Sequence, residues 1–455
     1  MKRGMVFLWS ALGLFIFIVV CFLALKIWFD AYLRSDGFRK LISGVAFGAI
    51  QARGEFLPFH YSGTTIYTDG FQARGAGTAF FDQLRADQMR AEFNLRGILK
   101  HAWEIDELEL QQLQITVGNQ KNREPAPSPA PGAGGPGWLP SKVDLRQADI
   151  EDASLEWAGE TRRASVKGTK LTITPEAAGS MSGENAANPG SWNILAEGGH
   201  IATGDLPGLE VSSAKLRYRR PSLFILDSEF KCKEEGSLTA SGEINFEQSL
   251  DLELKLNGVP LRPLLPVDWR RRLDGNLYGD IRLLSAMPLT GEPDMEGSLS
   301  LAQARVEALP ILDQIALFTR SQQFRTLSLS KASGDFKRTQ TRLEVKNFVA
   351  EAEGLIRMEG AFTVQDGRID GAFQIGVTPG SLQWLPGSQG KVFTDSREGY
   401  LWTHLHLTGP VESPIEDLTP RLVQAAQGAI IDKAQKALTD PAGTLLDGVK
   451  SLLPP

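Results

Sequence analysis

The chain has 455 residues, of which 42% are hydrophobic and 22% charged, and its formal net charge is −6. This composition predicts a folded protein with a buried core and excludes a largely disordered chain. The acidic balance and the lack of an obvious basic cluster exclude an electrostatic footprint for nucleic acid. The 46 glycines and 25 prolines favour short strands joined by turns over long helices.

Cysteine is nearly absent, which limits disulfide and metal chemistry. Cys21 lies in the apolar N-terminal run, and Cys232 stands alone in the rest of the chain. Two such cysteines predict neither a disulfide between them nor a zinc cluster. We expect Cys232 to be a small buried apolar residue.

The N-terminus carries an apolar run, Val6–Leu25, that follows Lys2 and Arg3 and contains no charge. A run of this length, at about 1.5 Å per residue, spans about 30 Å, the thickness of a hydrocarbon core. A cleavable signal peptide needs a shorter run and a small-residue exit, which the sequence after Leu23 lacks. We therefore predict a transmembrane anchor over 1–28, with these anchor residues: Val6, Leu8, Leu12, Phe15, Ile18, Val20 and Leu25.

Basic residues flank the run on both sides, so the positive-inside rule does not decide its orientation. The large β-rich part that follows favours a single-pass topology with the N-terminus in the cytoplasm and the bulk outside. Trp28 and Tyr32 lie where interfacial aromatic residues are expected.

The first part of the remaining chain changes from helical to strand periodicity. Residues 29–53 predict an amphipathic helix, and 54–123 predict an N-terminal β region. Within it Leu108 and Leu110 alternate, and the residues from Leu113 to Val117 alternate on the opposite parity. The slip at Gln111-Gln112 predicts a β-bulge. A Pro/Ala/Gly-rich linker follows at 124–140, which cannot join a sheet ladder.

The central β region, 141–308, contains a Gly/Ser/Asn-rich loop at 177–190 and then a strand with one aliphatic face. In the C-terminal β module, 309–416, Asp366-Gly367 separates two alternating segments and predicts a hairpin. Gly236–Phe246 and Gly354–Val364 resemble each other, which suggests repeated hairpins. Residues 310–324 predict a short helix, and 417–455 predict amphipathic C-terminal helices.

Catalytic motifs are absent from the sequence, including the nucleophile elbow, the phosphate-binding loop and H-E-x-x-H. His404 and His406 would share a strand face at a spacing that can bind metal, but no third ligand is indicated. Asp251 and Glu253 share a face and are expected to be solvated. The sequence therefore predicts a protein that is not an enzyme and has no cofactor or metal.

Aliphatic strand faces leave two interpretations open. Such faces usually pack in a closed core. In an open, curved sheet they line a groove, where each buried CH₂ of an acyl chain contributes about 0.8 kcal/mol. The candidate groove-lining residues are Leu250, Leu252, Leu254, Leu256, Phe362, Val364, Phe373 and Ile375.

Four segments resemble the AsmA-like family of bacterial envelope proteins. They are the anchor that runs into a helix and a sheet, the strands LRGILKHAWEIDELELQQLQITV from Leu95, the strand-glycine-proline-strand stretch Gly279–Leu301, and the region from Leu309 to Pro414. The resemblance covers most of the chain and rests on hydrophobicity and glycine pattern. The linker at 124–140 departs from it, and no individual family residue carries over.

The resemblance implies a mainly β fold in which an N-terminal transmembrane helix precedes an elongated, curved, repeat-like antiparallel sheet that forms a groove, with short helices at both ends. Strands of about 5–6 residues would place roughly 20–25 strands in this length. It also implies an inner-membrane anchor, a periplasmic bulk, and a role in outer-membrane biogenesis and phospholipid traffic. The expected partners are the lipid bilayer, phospholipid acyl chains and envelope proteins. A non-enzymatic envelope scaffold or assembly regulator without a groove is the alternative.

Overall fold

The computed structural model describes residues 28, 31–76, 79, 81–94, 96–97, 102–118, 142–158, 163–176, 191–203, 208–232, 235–267, 269–286, 292–307, 325–382 and 388–439. The described chain is mainly β, as predicted, and contains twenty-four strands. It divides into two compact units, Met1–Ser228 and Glu229–Pro455.

The described residues of the first unit include a helix and the first eleven strands, with a twelfth strand crossing the unit boundary. Their bounds are α1 Asp36–Ala49, β1 Ala52–Phe56, β2 Phe59–Ser62, β3 Thr65–Gly75, β4 Gln83–Asn94, β5 Ala102–Val117, β6 Lys142–Leu145, β7 Ala148–Ala158, β8 Arg163–Pro175, β9 Ser191–Glu197, β10 His200–Thr203, β11 Leu209–Arg219 and β12 Ser222–Cys232.

Helix α1 closes one end of this unit. It begins at Ser35, whose Oγ accepts the Phe38 N–H at 3.3 Å and donates to Tyr32 O at 2.6 Å. Residues 31–33 are helical too, so the helix predicted over 29–53 is interrupted at Ser35, where this cap starts α1 at Asp36. Phe38 and Phe47 are buried and pack with Phe56 and Trp103 in the main hydrophobic core of the unit. The predicted amphipathic helix is confirmed over Asp36–Ala49.

The sheet of the first unit is not wholly antiparallel. Strand β5 pairs in parallel with both β6 and β7, through pairs such as Ala102–Lys142 and Val117–Trp157. The other pairings given for this unit are antiparallel, for example β3–β4, β4–β5 and β7–β8. The prediction of an antiparallel sheet is therefore wrong at this position. The strands that flank the predicted linker at 124–140 pair with each other.

The parity slip in β5 has a different cause from the predicted bulge. Gln111 and Gln112 are both exposed, yet Asp87–Gln112 and Met89–Leu110 continue the pairing with β4 in an unchanged register. The same slip occurs on β4 and on β7, where two non-core residues again separate core-facing ones. The bulge prediction at Gln111-Gln112 is wrong because the neighbouring strands match the slip. The register shift between β4 and β5 lies at Glu92/Phe93 instead.

The second unit consists of antiparallel strands, a few helical turns and a long C-terminal helix. Their bounds are β13 Ser237–Asn245, β14 Ser249–Pro260, a 3-10 helix Arg262–Leu264, β15 Leu273–Ala286, β16 Asp294–Glu307, β17 Thr326–Leu329, β18 Lys331–Arg338, β19 Arg342–Ala352, β20 Ile356–Gln365, β21 Arg368–Val377, helical turns Pro379–Leu382 and Ser388–Lys391, β22 Asp395–Arg397, β23 Tyr400–Pro410, β24 Ile415–Glu416 and α2 Leu418–Thr439.

The hairpin predicted at Asp366-Gly367 is confirmed. Gln365 pairs with Arg368, so β20 and β21 are joined by a two-residue turn. Asp366 has φ 50° and Gly367 has φ 71°. Positive φ at both central residues is the requirement of a type I′ turn, which Asp-Gly satisfies readily.

Several predictions lie outside the described residues: the anchor residues from Val6 to Leu25, the linker at 124–140, the loop at 177–190, the helix at 310–324 and the C-terminal residues after 439. Among the residues that are described, none of the helices combines the length and hydrophobicity needed to cross a bilayer. Cys232 is 8% exposed, as expected for a small apolar residue, and its burial raises the pKa of the thiol.

Candidate functional site

One face of the second unit is apolar from β13 to β23. In an antiparallel pair, directly opposed residues point to the same side of the sheet, so the pairings can be followed across the strands. One such line, here called the apolar row, is Ala240–Leu254–Ile281–Gly297–Phe336–Val345–Phe362–Gly371–Leu407. Every member is apolar or glycine. The register therefore joins short local patterns into one continuous apolar surface.

The opposite face is polar and carries alternating charges. The corresponding line one residue away contains Glu253, Arg282, Glu296, Lys337 and Glu344. Lys337 Nζ lies 3.0 Å from Glu296 Oε2, and this hydrogen bond raises the pKa of Lys337. Cross-strand ion pairs of this kind suit a solvated surface. The two faces thus differ sharply in chemistry.

All eight predicted groove-lining residues lie on the apolar face, but their burial differs. Leu250, Leu252, Leu254 and Leu256 on β14 are half-buried, as are Phe362 and Val364 on β20. Half-burial means that no other described element covers these side chains completely.

Phe373 and Ile375 are only 5% and 2% exposed and belong to a hydrophobic cluster with Leu418 and Leu422 of α2. These two residues are part of a closed core at one end of the face. The remaining six, together with the members of the apolar row from β14 to β20, form what we call the half-buried apolar face.

The first unit has an apolar line that sequence reasoning missed. It runs Ala73–Leu84–Ile115–Leu155–Val166–Ile201–Leu209 across β3 to β11. Ala73 is buried near α1, whereas Leu155 and Val166 are half-buried. The only early signal was the alternation in β5, because β7 to β11 have short apolar runs interrupted by polar residues.

A depression that could hold a polar ligand lies away from the apolar surfaces. In the first unit, a depression of about 710 Å³ on the polar face is lined by residues that include Tyr67, Arg90, Glu109 and Lys170. Arg90 and Glu109 pair across it at 3.2 Å. The depression is charged and open, and it does not reach the apolar line.

The two histidines do share a face, as predicted, and it is the polar face of β23. His406 Nε2 lies 3.1 Å from Asp370 Oδ1, and both histidines are exposed. The described residues contain no group of three or more His, Cys, Asp or Glu side chains that could hold a metal.

Comparisons with known proteins returned no match: no protein-family model fits the chain, and no curated protein or solved structure is significantly similar to it.

Proposed function

We propose that this protein is a membrane-anchored periplasmic protein that binds phospholipid acyl chains on its apolar strand faces. It would contribute to outer-membrane biogenesis and lipid homeostasis, in line with the resemblance to the AsmA-like family. The observation that carries the proposal is the half-buried apolar face, which the register makes continuous across the second unit.

The physical argument is that such a face offers acyl chains a surface that water wets poorly. Each methylene taken out of water contributes about 0.8 kcal/mol, so ten methylenes along the leucines of β14 would contribute about 8 kcal/mol. No polar group is needed for this kind of binding. A protein acting in this way would bind lipid without catalysing a reaction.

Site-specific photocrosslinking tests the proposal. We expect a photoreactive residue at Leu252 in the full chain to crosslink phospholipid, which mass spectrometry of the purified protein would identify. The same probe at Glu253, the next residue on the opposite face, is the matched control and should give no lipid adduct. Co-purified phospholipid should also be recovered by solvent extraction.

Absence of both lipid adducts and co-purified lipid would contradict the proposal. Crosslinks from Leu252 to protein in place of lipid would favour the alternative function, a non-enzymatic envelope scaffold whose apolar face is covered by a partner.

A further inference from the structure

The loop between β14 and β15 combines an exposed valine with a cluster of arginines. It runs from Leu261 to Arg272, with the sequence LRPLLPVDWRRR. Val267 is 72% exposed, the most exposed of the large apolar side chains in the described part of the chain. Three consecutive arginines, Arg270 to Arg272, follow within a few residues.

The net charge of this loop is opposite in sign to that of the whole chain. Residues 261–274 carry four arginines against Asp268 and Asp274, a net charge of +2, whereas the chain as a whole carries −6. Arg262 pairs with Asp274 at 3.4 Å. Among the described carboxylates, none forms an ion pair with Arg270, Arg271 or Arg272. The cluster is therefore a locally cationic surface on an acidic protein.

The loop is held in shape by its own hydrogen bonds. Pro266 O accepts from the N–H groups of Trp269 and Arg270 at 2.9 and 3.2 Å, and Trp269 O accepts from Arg272 and Leu273 at 2.9 and 3.0 Å. The Arg272 guanidinium lies 5.9 Å from the centroid of the Trp269 ring. Two successive turns thus hold Val267, Trp269 and the arginines close together.

We propose that this loop docks on the surface of a bilayer that contains anionic phospholipid. Guanidinium groups form paired hydrogen bonds with phosphate, tryptophan favours the region of the lipid headgroups, and an exposed valine can enter the upper acyl region. A polyanion such as nucleic acid would satisfy the arginines but would not explain the exposed Val267. The inference rests on the proposed function, which supplies the lipid partner. It adds that the lipid is anionic and that the loop residues contact it.

Vesicle docking by the full chain tests the inference. The protein is reconstituted in phosphatidylcholine nanodiscs and mixed with separate vesicles, either of phosphatidylcholine or of an equal mixture with phosphatidylglycerol. We expect co-flotation only with the phosphatidylglycerol vesicles, weakened by added salt because the attraction is screened. The combined variant Arg270→Gln, Arg271→Gln and Arg272→Gln should lower the affinity about 100-fold, at about fivefold per arginine.

A charge-matched variant controls for the loss of positive charge. Arg219→Gln, Arg342→Gln and Arg368→Gln remove three charges at exposed positions outside the loop, and docking should be nearly unchanged. Val267→Asp is a second test that leaves the arginines and, because Val267 is so exposed, the fold intact. It should lower the affinity about tenfold.

Equal docking on phosphatidylcholine vesicles, an equal loss in the charge-matched variant, or binding to double-stranded DNA as tight as to phosphatidylglycerol vesicles would each overturn the inference. Lipid extraction from the purified protein before it is placed in nanodiscs separates the inference from the proposed function. Loss of docking with co-purified lipid retained supports the inference. Docking without co-purified lipid in any preparation supports the docking surface and contradicts acyl-chain binding.

Discussion

The edge of β23 is protected by individual side chains of the segment that follows it. β22 pairs with the start of β23 and β24 with its end, which leaves Thr403–His406 between them. The His406 N–H donates to Asp417 Oδ1 at 2.8 Å, and Arg421 donates to His404 O and to Thr403 Oγ1. An exposed strand edge invites pairing with other chains, so these contacts keep the edge from adding another strand.

Asp417→Ala should expose this edge. Loss of one charge-assisted hydrogen bond is worth about 1.5 kcal/mol, so exchange of the His406 amide hydrogen should become about tenfold faster. Hydrogen exchange measured by mass spectrometry on a peptide that contains His406 would show this change. Glu412→Ala, an exposed acidic residue in the same connection, is the control and should leave the exchange rate unaltered.

On the polar face, Asp251 and Arg282 form a cross-strand pair that predicts a pH dependence. Arg282 Nη2 lies 2.6 Å from Asp251 Oδ2, and this hydrogen bond holds the pKa of Asp251 below its usual value. A carboxyl group whose pKa is lower in the folded state stabilises the fold above its unfolded pKa, and that contribution disappears as the pH falls through the folded value.

Arg282→Gln should therefore raise the titration midpoint of Asp251 toward that of an ordinary aspartate. Carbon-detected NMR of the Asp251 carboxyl measures this midpoint directly. Arg342→Gln, which removes an exposed arginine at the start of β19, should leave it in place. An unchanged midpoint in the Arg282 variant would show that the pair does not persist in solution.

At the level of elements, helix α2 closes one end of the apolar face. The Leu418 and Thr419 N–H groups donate to Glu416 Oε2 at 2.6 and 2.8 Å, which caps the start of the helix. Leu418, Leu422 and Ala425 are 2%, 5% and 7% exposed. The helix thus packs one stripe of the predicted amphipathic segment against the sheet.

Leu422→Ala should destabilise the second unit by about 2–4 kcal/mol, because it removes buried methyl groups and leaves a cavity. Chemical denaturation followed by circular dichroism measures the change. Val423→Ala alters the neighbouring residue, which is 37% exposed, and should cost much less. Equal effects of the two substitutions would mean that α2 does not dock through this stripe.

Elements governed by neighbours in sequence were predictable, and those governed by distant partners were not. The Asp366-Gly367 hairpin and the alternation of Leu250 to Leu256 follow from local conformational preference and periodicity. The slip at Gln111-Gln112 suggested a bulge because β5 alone does not reveal that β4 and β7 carry the same slip. The burial of Phe373 and Ile375 likewise depends on α2, which lies far along the chain.

Within each unit, the candidate site was likewise predictable from local sequence but not where it depends on distant partners. Alternation identified the leucines of β14, but the continuity of the apolar row depends on registers such as Gly297–Phe336 that only pairing determines. The apolar line of the first unit was missed because Val166 and Ile201 meet across strands interrupted at glycines 168, 198 and 199. Sequence therefore predicted the type of surface better than its extent.

The parallel pairing of β5 and β6 in the first unit requires a long connection, and the linker at 124–140 supplies that length. β5 has 16 residues, so at about 3.3 Å per residue its ends lie about 50 Å apart. Lys142 pairs with Ala102, which lies at the opposite end of β5 from Val117. Deletion of 124–140 would leave residues 118–123 and 141, which reach roughly 28 Å when fully extended.

We therefore expect the deletion to disrupt the β5–β6 pairing. The β5–β7 pairing should remain, because Ala148 pairs with Leu108, only about 30 Å from Val117, and residues 118–123 with 141–147 reach about 49 Å. A Gly/Ser segment of equal length in place of 124–140 should preserve the β5–β6 pairing, since only reach is required. Limited proteolysis within 141–147 distinguishes the two variants, and equal protection of this segment in both would contradict the β5–β6 pairing.

This pairing also sets the order in which strands can form. In the second unit most strands follow their partner after a short turn, as Arg368 follows Gln365, so the sheet can grow one hairpin at a time as the chain emerges from the ribosome. In the first unit β5 gains its second neighbour only after β7 has been synthesised, because Leu108 pairs with Ala148. Until then β5 has one open edge, which can pair with a strand of another chain.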